Sequence, residues 1–304
     1  MKRISFTLGA AAVSLLCLFG APAARAQSWR TWVSGVGDDS NTCSRTAPCK
    51  TFSGALAKTL EGGEISVLDS ADYGHVTINK AVTINGAGAL AGINAPPGGG
   101  VLVNVTTNPS TATVTLRNLH INGMLTGGGQ GIRFLAGKSL VIDHCRIYGF
   151  RNGTGIDAWL EAAGNLKVID SLIEDCAVGF SMRGFTGQLL ATIERTRVLN
   201  CNVGISAIEN VRAQISDSVI SHIKNLALAT HPLGTDAIFN VDRVAISHSG
   251  IALWGVGSGS VIRVSNSTIT RNGTGISGNV HSFQGNSLEG NTTNGSFVTT
   301  TSKQ

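Results

Sequence analysis

The chain is poor in charge, in aromatic residues and in proline. Asp, Glu, Lys and Arg make up 13% of its 304 residues, and Phe, Trp and Tyr only 5%. That charged share is about half the average for a globular domain. Disorder is excluded all the same, because hydrophobic residues reach 42% and net charge is low. Proline stands at only 6 positions and the 39 glycines keep no period of three, which excludes collagen. Much glycine with little charge points to short strands and many turns rather than amphipathic helices.

The first 26 residues read as a secretory signal. Lys2 and Arg3 precede an apolar run from Ile4 to Phe19, and Ala24-Arg25-Ala26 forms a small-x-small cleavage site. A membrane anchor fits less well, since Ser5, Thr7, Gly9 and Ser14 interrupt the run and no second apolar span follows. Cleavage removes Lys2, Arg3 and Arg25, leaving 20 basic against 18 acidic residues. No basic run survives, so nucleic acid is not an expected partner. Secretion or periplasmic export is the expected localisation, with no transmembrane segment in the mature chain.

Five cysteines remain after cleavage. Cys43 and Cys49 flank a turn-rich loop, and in an exported protein such a pair is expected as a disulfide. Zinc is the alternative, but no Cys/His pair stands nearby to complete four ligands. Cys145, Cys176 and Cys201 lie in strand-like segments and read as small buried hydrophobes.

From residue 114 the chain repeats itself. Copies run Leu116-Arg-Asn-Leu119-His-Ile121, Ile142-Asp-His-Cys145-Arg-Ile147 and Val168-Ile-Asp-Ser171-Leu-Ile173. Four more end at Val198, Ile220, Ile246 and Ile269. The corner positions 119, 145, 171, 196, 218, 244 and 267 are 22 to 26 residues apart. Propeller blades need about 40 residues or more, so they fail. Three short strands joined by turns fit, as one coil of a parallel β-helix. Two inward columns follow: Leu116, Ile142, Val168, Ile193, Ile215, Val241, Val264, and Ile121, Ile147, Ile173, Val198, Ile220, Ile246, Ile269. One residue before the corners, Asp170, Arg195, Asp217 and Arg243 alternate in sign up the stack. A Gly-apolar pair opens the third strand in most copies, as at Gly131-Ile132, Gly155-Ile156, Gly179-Phe180, Gly204-Ile205, Gly250-Ile251 and Gly275-Ile276.

Residues 50–60 place Phe52, Leu56 and Leu60 at helical spacing, with Thr51 or Ser53 as cap and Gly62-Gly63 as stop. This helix is expected to plug the N-terminal opening, ahead of strands that start at Glu64. The expected division is 1–26 signal peptide, 27–63 N-terminal cap with disulfide loop and helix, 64–286 β-helix, and 287–304 a last partial coil and flexible tail.

The segment from Pro48-Cys-Lys-Thr-Phe-Ser-Gly-Ala-Leu through Tyr73-Gly-His-Val-Thr-Ile-Asn-Lys-Ala-Val-Thr-Ile-Asn-Gly-Ala-Gly88 resembles the opening of secreted proteins of the pectin-lyase-like superfamily. With the later coils, the resemblance covers nearly the whole mature chain. It implies an all-β, right-handed parallel β-helix. It does not fix an activity, because the superfamily holds lyases, hydrolases, epimerases, tailspikes and exported proteins without known activity. The hydrolase motifs Asn-Thr-Asp, Asp-Asp, Gly-His-Gly and Arg-Ile-Lys are absent in that form: Asp38-Asp39 precedes the first coil, and Gly74-His75 lacks its second glycine. No cofactor is expected; calcium stays open as an alternative without a clear acidic ligand cluster to support it.

One face of the third strand carries chemistry. Counting alternation from the Gly-apolar pairs puts Arg133, Asp157, Trp159, Ser181, Arg183, Ser206, Ile208, Ala252 and Trp254 outward, with Glu161 at the edge. Tryptophan rings stack on sugars and arginine binds uronate carboxylates. The tryptophans could equally lie under a loop or at a subunit contact. Asp157 and Arg183 are the candidates for an acid–base pair in β-elimination. His222 and His248 fall at equivalent places about 5 Å apart and read as a solvated pair, with no metal site assigned. The resulting expectation is an exported scaffold that binds glycans or a surface partner without catalysis. The alternatives are a lyase or hydrolase of acidic polysaccharide and a purely structural rod.

Overall fold

The computed structural model describes residues 27–125 and 128–300. The expected signal peptide, residues 1–26, lies outside them, as do residues 126–127 and 301–304, the end of the expected tail. The chain winds into three parallel sheets of 12, 9 and 10 strands, and each strand pairs with its counterpart one coil away. The 12-stranded sheet runs from Ser28–Val33 to Thr299–Thr300, so pairing begins before residue 64 and continues past 286. No helix among the described residues is long and apolar enough to cross a membrane.

Both columns read from the repeat are inward and in register. Leu116, Ile142, Val168, Ile193, Ile215, Val241 and Val264 pair one above the next. The second column, from Ile121 to Ile269, does the same. Every member of both is buried. A third column, from Val76 through Ile132, Ile156, Phe180 and Ile205 to Ile276, closes the triangle. Each such side chain contributes about 1.5–3 kcal/mol by leaving water, and each coil gains it only if its neighbours are present.

The corners explain the polar residues of the repeat. Asn118, His144, Asp170, Arg195, Asp217, Arg243 and Asn266 all take positive φ, between 46° and 54°. This left-handed kink turns the chain from one sheet to the next. The buried residue after it caps the corner: the Ser171, Ser218 and Ser267 hydroxyls each accept an N–H from the coil before, at 3.1 Å. The alternating charges pair as their order implied, Arg195 on Asp170 and Arg243 on Asp217, both through two bonds of 2.6–2.9 Å.

The helix spans Phe52–Lys58, shorter than expected. Thr51 caps it by accepting from the Gly54 N–H, and Thr59 already has extended backbone. The following strand, Thr59–Val67, takes in Gly62 and Gly63, so these glycines are strand residues rather than a helix stop. The pairing of Thr59 with Ser28, and the Thr31–Thr59 hydroxyl contact of 2.8 Å, draw that segment into the sheet. Phe52 packs on Tyr73 at 5.1 Å beside the first coil. Asp39 is structural: its carboxylate accepts from the Lys50 and Thr51 N–H groups and the Thr51 hydroxyl. Cys43 and Cys49 form a disulfide, and Cys145, Cys176 and Cys201 are free and buried.

Gly131, Gly155, Gly179 and Gly204 stand at close approaches between coils. A Cβ on Gly179 would sit 2.6 Å from the Gly204 carbonyl oxygen, and one on Gly204 2.4 Å from that of Ala227. The pair Gly250-Ile251 does not belong to this column. Ile251 pairs with Leu226 and Thr274, so Ala252 and Leu253 occupy the equivalent places. That two-residue slip sets Ala252 in the close-packed glycine place at the corner, where it is buried against the core, and corrects its outward assignment.

Candidate functional site

On the outer face of the 9-stranded sheet lies a cavity of about 860 Å³. Strands Gln130–Ala136 and Thr154–Leu160 contribute to its lining, and the next strand, Val178–Gly184, runs alongside them. Their inward residues Ile132, Phe134, Ile156, Ala158, Phe180 and Met182 are fully buried. Strand alternation therefore forces Arg133, Asp157, Trp159, Ser181 and Arg183 to the other face. Loop residues build the walls. Pro109 and Ser110 stand on one side and Phe185 on the other, with Lys138 and Glu161 at the rim.

Of the six residues singled out in the sequence, Arg133, Trp159 and Glu161 line this cavity, and Asp157 and Arg183 lie beside it as cross-strand neighbours of Arg133 and Trp159. Trp159 and Arg183 are cross-strand partners, as are Arg133 and Asp157. The Arg183 guanidinium lies 4.1 Å from the Phe185 ring centre and 5.7 Å from that of Trp159. Arg133 approaches the Trp159 ring from the other side, at 5.9 Å. Trp159 and Phe185 meet edge to face at 5.8 Å and 80°. The Trp159 Nε1 is shielded from solvent and has no hydrogen-bond partner among the described residues.

Trp254 does not join them. The corrected register puts it in the Asp157 column, four strands away, which is about 19 Å along the axis. It packs on His231 instead, at 5.8 Å.

Asp157 and Arg183 are not paired. Asp157 is only 6% exposed and its partner is Arg133, at 3.4 Å. Burial pushes its carboxyl above the ordinary 3.8, against the pull of Arg133 and Ser181. Arg133 Nε makes this contact at an angle too poor for a hydrogen bond, so it counts as an ion pair only. Arg183 is held by Glu209 through a hydrogen bond from Nε at 2.8 Å and an ion-pair contact from Nη2 at 2.7 Å, both to the same carboxylate oxygen. A bulge between Met182 and Arg183 sets Glu209, rather than Ile208, opposite Arg183.

Sequence reasoning missed Phe185, Lys138 and Glu209. Phe185 was within reach, because Leu160 pairs with Gly184 and the next residues must follow. The Phe185 N–H indeed continues the ladder onto the Leu160 carbonyl at 2.9 Å. A smaller cavity of about 260 Å³ shares Arg133 and Leu135 and carries the groove toward His75 and Thr77.

The one metal-ligating group of three or more residues among those described is Asp143, His144 and Asp170, outside the groove. Arg117 already engages Asp143, and Arg195 engages Asp170, so these carboxylates have cationic partners.

Among solved structures, the chain is similar to pectate lyase Pel9A, with 13% identity over 86% of this chain and 80% of that one, at a TM-score of 0.56. The fold is the right-handed parallel β-helix of that lyase. A lacto-N-biosidase of family GH136 from Eubacterium ramulus aligns at 10% identity over 90% of this chain and 67% of that one, with a TM-score of 0.43. No protein-family model and no curated protein sequence matches the chain.

Proposed function

We propose that the chain is an exported β-helix that binds acidic saccharides, without cleaving them, in the groove around Trp159. One observation carries this reading: Trp159 and Phe185 line a roomy cavity together with Arg133 and Lys138, and the Arg183 guanidinium lies against both rings. Pyranose rings offer C–H faces that suit indole and phenyl rings, and uronate carboxylates suit guanidinium forks. The fold shared with a pectate lyase agrees with a carbohydrate ligand, but fold alone does not assign one.

Binding is favoured over catalysis by the state of the two candidate acid–base groups. Asp157 is sequestered against Arg133 and Arg183 is committed to Glu209. An arginine gripped by a carboxylate is poorly placed to act as a base, because the ion pair holds its proton.

A glycan array run beside a lyase and hydrolase assay, with and without calcium, tests this. Retention of uronate-containing glycans with no unsaturated or new reducing ends is the expected result. Release of such ends, abolished in Asp157→Asn or Arg183→Ala, replaces this reading with an enzymatic one. No glycan retained at all leaves a structural rod.

A further inference from the structure

The corners between the 10-stranded and 9-stranded sheets carry a second set of left-handed residues: Asp175, Asn200, His222, His248 and Arg271, with φ of 53° to 57°. Two of them are exposed histidines on adjacent coils. Their rings stack face to face, 4.8 Å between centres and 8° from parallel. Neither belongs to the groove.

Each ring is tied to a serine beneath it by one contact. His222 Nδ1 lies 2.9 Å from the Ser221 hydroxyl, and His248 Nδ1 lies 3.2 Å from that of Ser247. The two hydroxyls are 3.0 Å apart. Four proton assignments satisfy all three contacts, and two of them place a proton on both Nδ1 atoms. In one of those, both Nδ1–H groups donate to their serines, and the Ser221 hydroxyl donates to Ser247. In that tautomer each imidazole carries its lone pair on Nε2, and both residues are exposed. An imidazole whose far N–H is tied down is the usual form of a metal ligand.

From this we infer that His222 and His248 bind one divalent transition-metal ion of the kind imidazole favours, such as Ni²⁺, Cu²⁺ or Zn²⁺. The two Nε2 atoms supply two ligands and water completes the shell. To share one ion the two rings must tilt out of the parallel stack, so that both in-plane lone pairs converge on a point about 2.0–2.1 Å from each Nε2. The nearest corner residues on either side are Asn200 and Arg271, so the site adds no carboxylate and favours nitrogen-seeking ions over calcium or magnesium.

Titration of the full mature chain, made without an affinity tag, with NiCl₂ in a calorimeter tests this. One ion per chain is expected. It should be lost in His222→Asn and in His248→Asn, because asparagine keeps the left-handed corner without strain. Ser221→Ala and Ser247→Ala should weaken it about tenfold. His144→Asn, which removes the histidine of the Asp143–Asp170 cluster, should leave it unchanged. Thermal melts of the two histidine variants should match the parent, which separates lost ligation from lost fold. No binding by the parent chain, binding that survives both histidine variants, or binding that goes with His144 overturns the inference.

Discussion

Trp159 and Arg183 are partners across adjacent strands of the 9-stranded sheet, with the guanidinium 5.7 Å from the indole centre. The same guanidinium caps the Phe185 ring and is gripped by Glu209. The aromatic wall of the groove is thus locked to its charge.

Removing the indole should weaken saccharide binding most. Trp159→Ala is expected to cost about 2 kcal/mol of binding free energy, the range of an interface hot spot, with the fold intact because Trp159 is on the outer face. Isothermal titration with an acidic oligosaccharide, beside a thermal melt, checks both halves. Trp254→Ala should leave affinity unchanged, since its column position is four strands from Asp157.

Glu209→Gln should release Arg183 from its ion pair. Stability should change little, since pairs with solvent access are worth about 0–1 kcal/mol. Affinity for an anionic ligand should rise, because Arg183 no longer carries a competing carboxylate. A drop in affinity would show that Glu209 holds Arg183 in its binding position.

The stacked core makes its own forecast. Val168→Asp sets a charge into the first inward column with no partner and should cost about 3–5 kcal/mol. Lys167→Ser, one residue away on the outer face, should fall within about 0.5 kcal/mol of the parent. Gly179→Ala should also destabilise, because its Cβ meets the Gly204 carbonyl at 2.6 Å, whereas Gly98 has open space and should accept alanine. Urea unfolding of the four variants provides the comparison.

Acid should loosen the N-terminal end. The Gly35 N–H and the Ser34 hydroxyl hold the Asp69 carboxyl below its ordinary 3.8. A depressed carboxyl stabilises the fold above pH 3.8, and that contribution disappears as pH falls through the folded value. Asp157 acts in the opposite sense, since its raised value means that deprotonation above pH 3.8 costs the folded state. Stability measured from pH 5 to pH 2 should therefore fall less steeply in Asp69→Asn than in the parent. Asp157→Asn should steepen the fall.

The coils could be read from the chain because identical residue types recur at a spacing the fold enforces. Leu116, Ile142 and Val168 are the same place in three copies, and burial allows nothing polar there. The site was legible only as far as strand alternation reached: Arg133, Asp157, Trp159 and Arg183 follow from it. Pro109 and Lys138 sit in loops, which have no period to count. Glu209 depends on a one-residue bulge. Trp254 was misplaced because Gly250-Ile251 imitates the glycine column two residues early. Corners occupied by His144, Arg195 or His248 hid the left-handed turns, for which glycine is the usual mark.

Fluorescence gives the most direct test of the groove. In a variant with Trp29, Trp32 and Trp254 changed to phenylalanine, Trp159 is the sole indole of the chain. Titration with an oligogalacturonate should shift and saturate its emission, and prior conversion of Arg133 to alanine should weaken the response. A saturable binding event in calorimetry that leaves Trp159 emission unmoved would contradict the account.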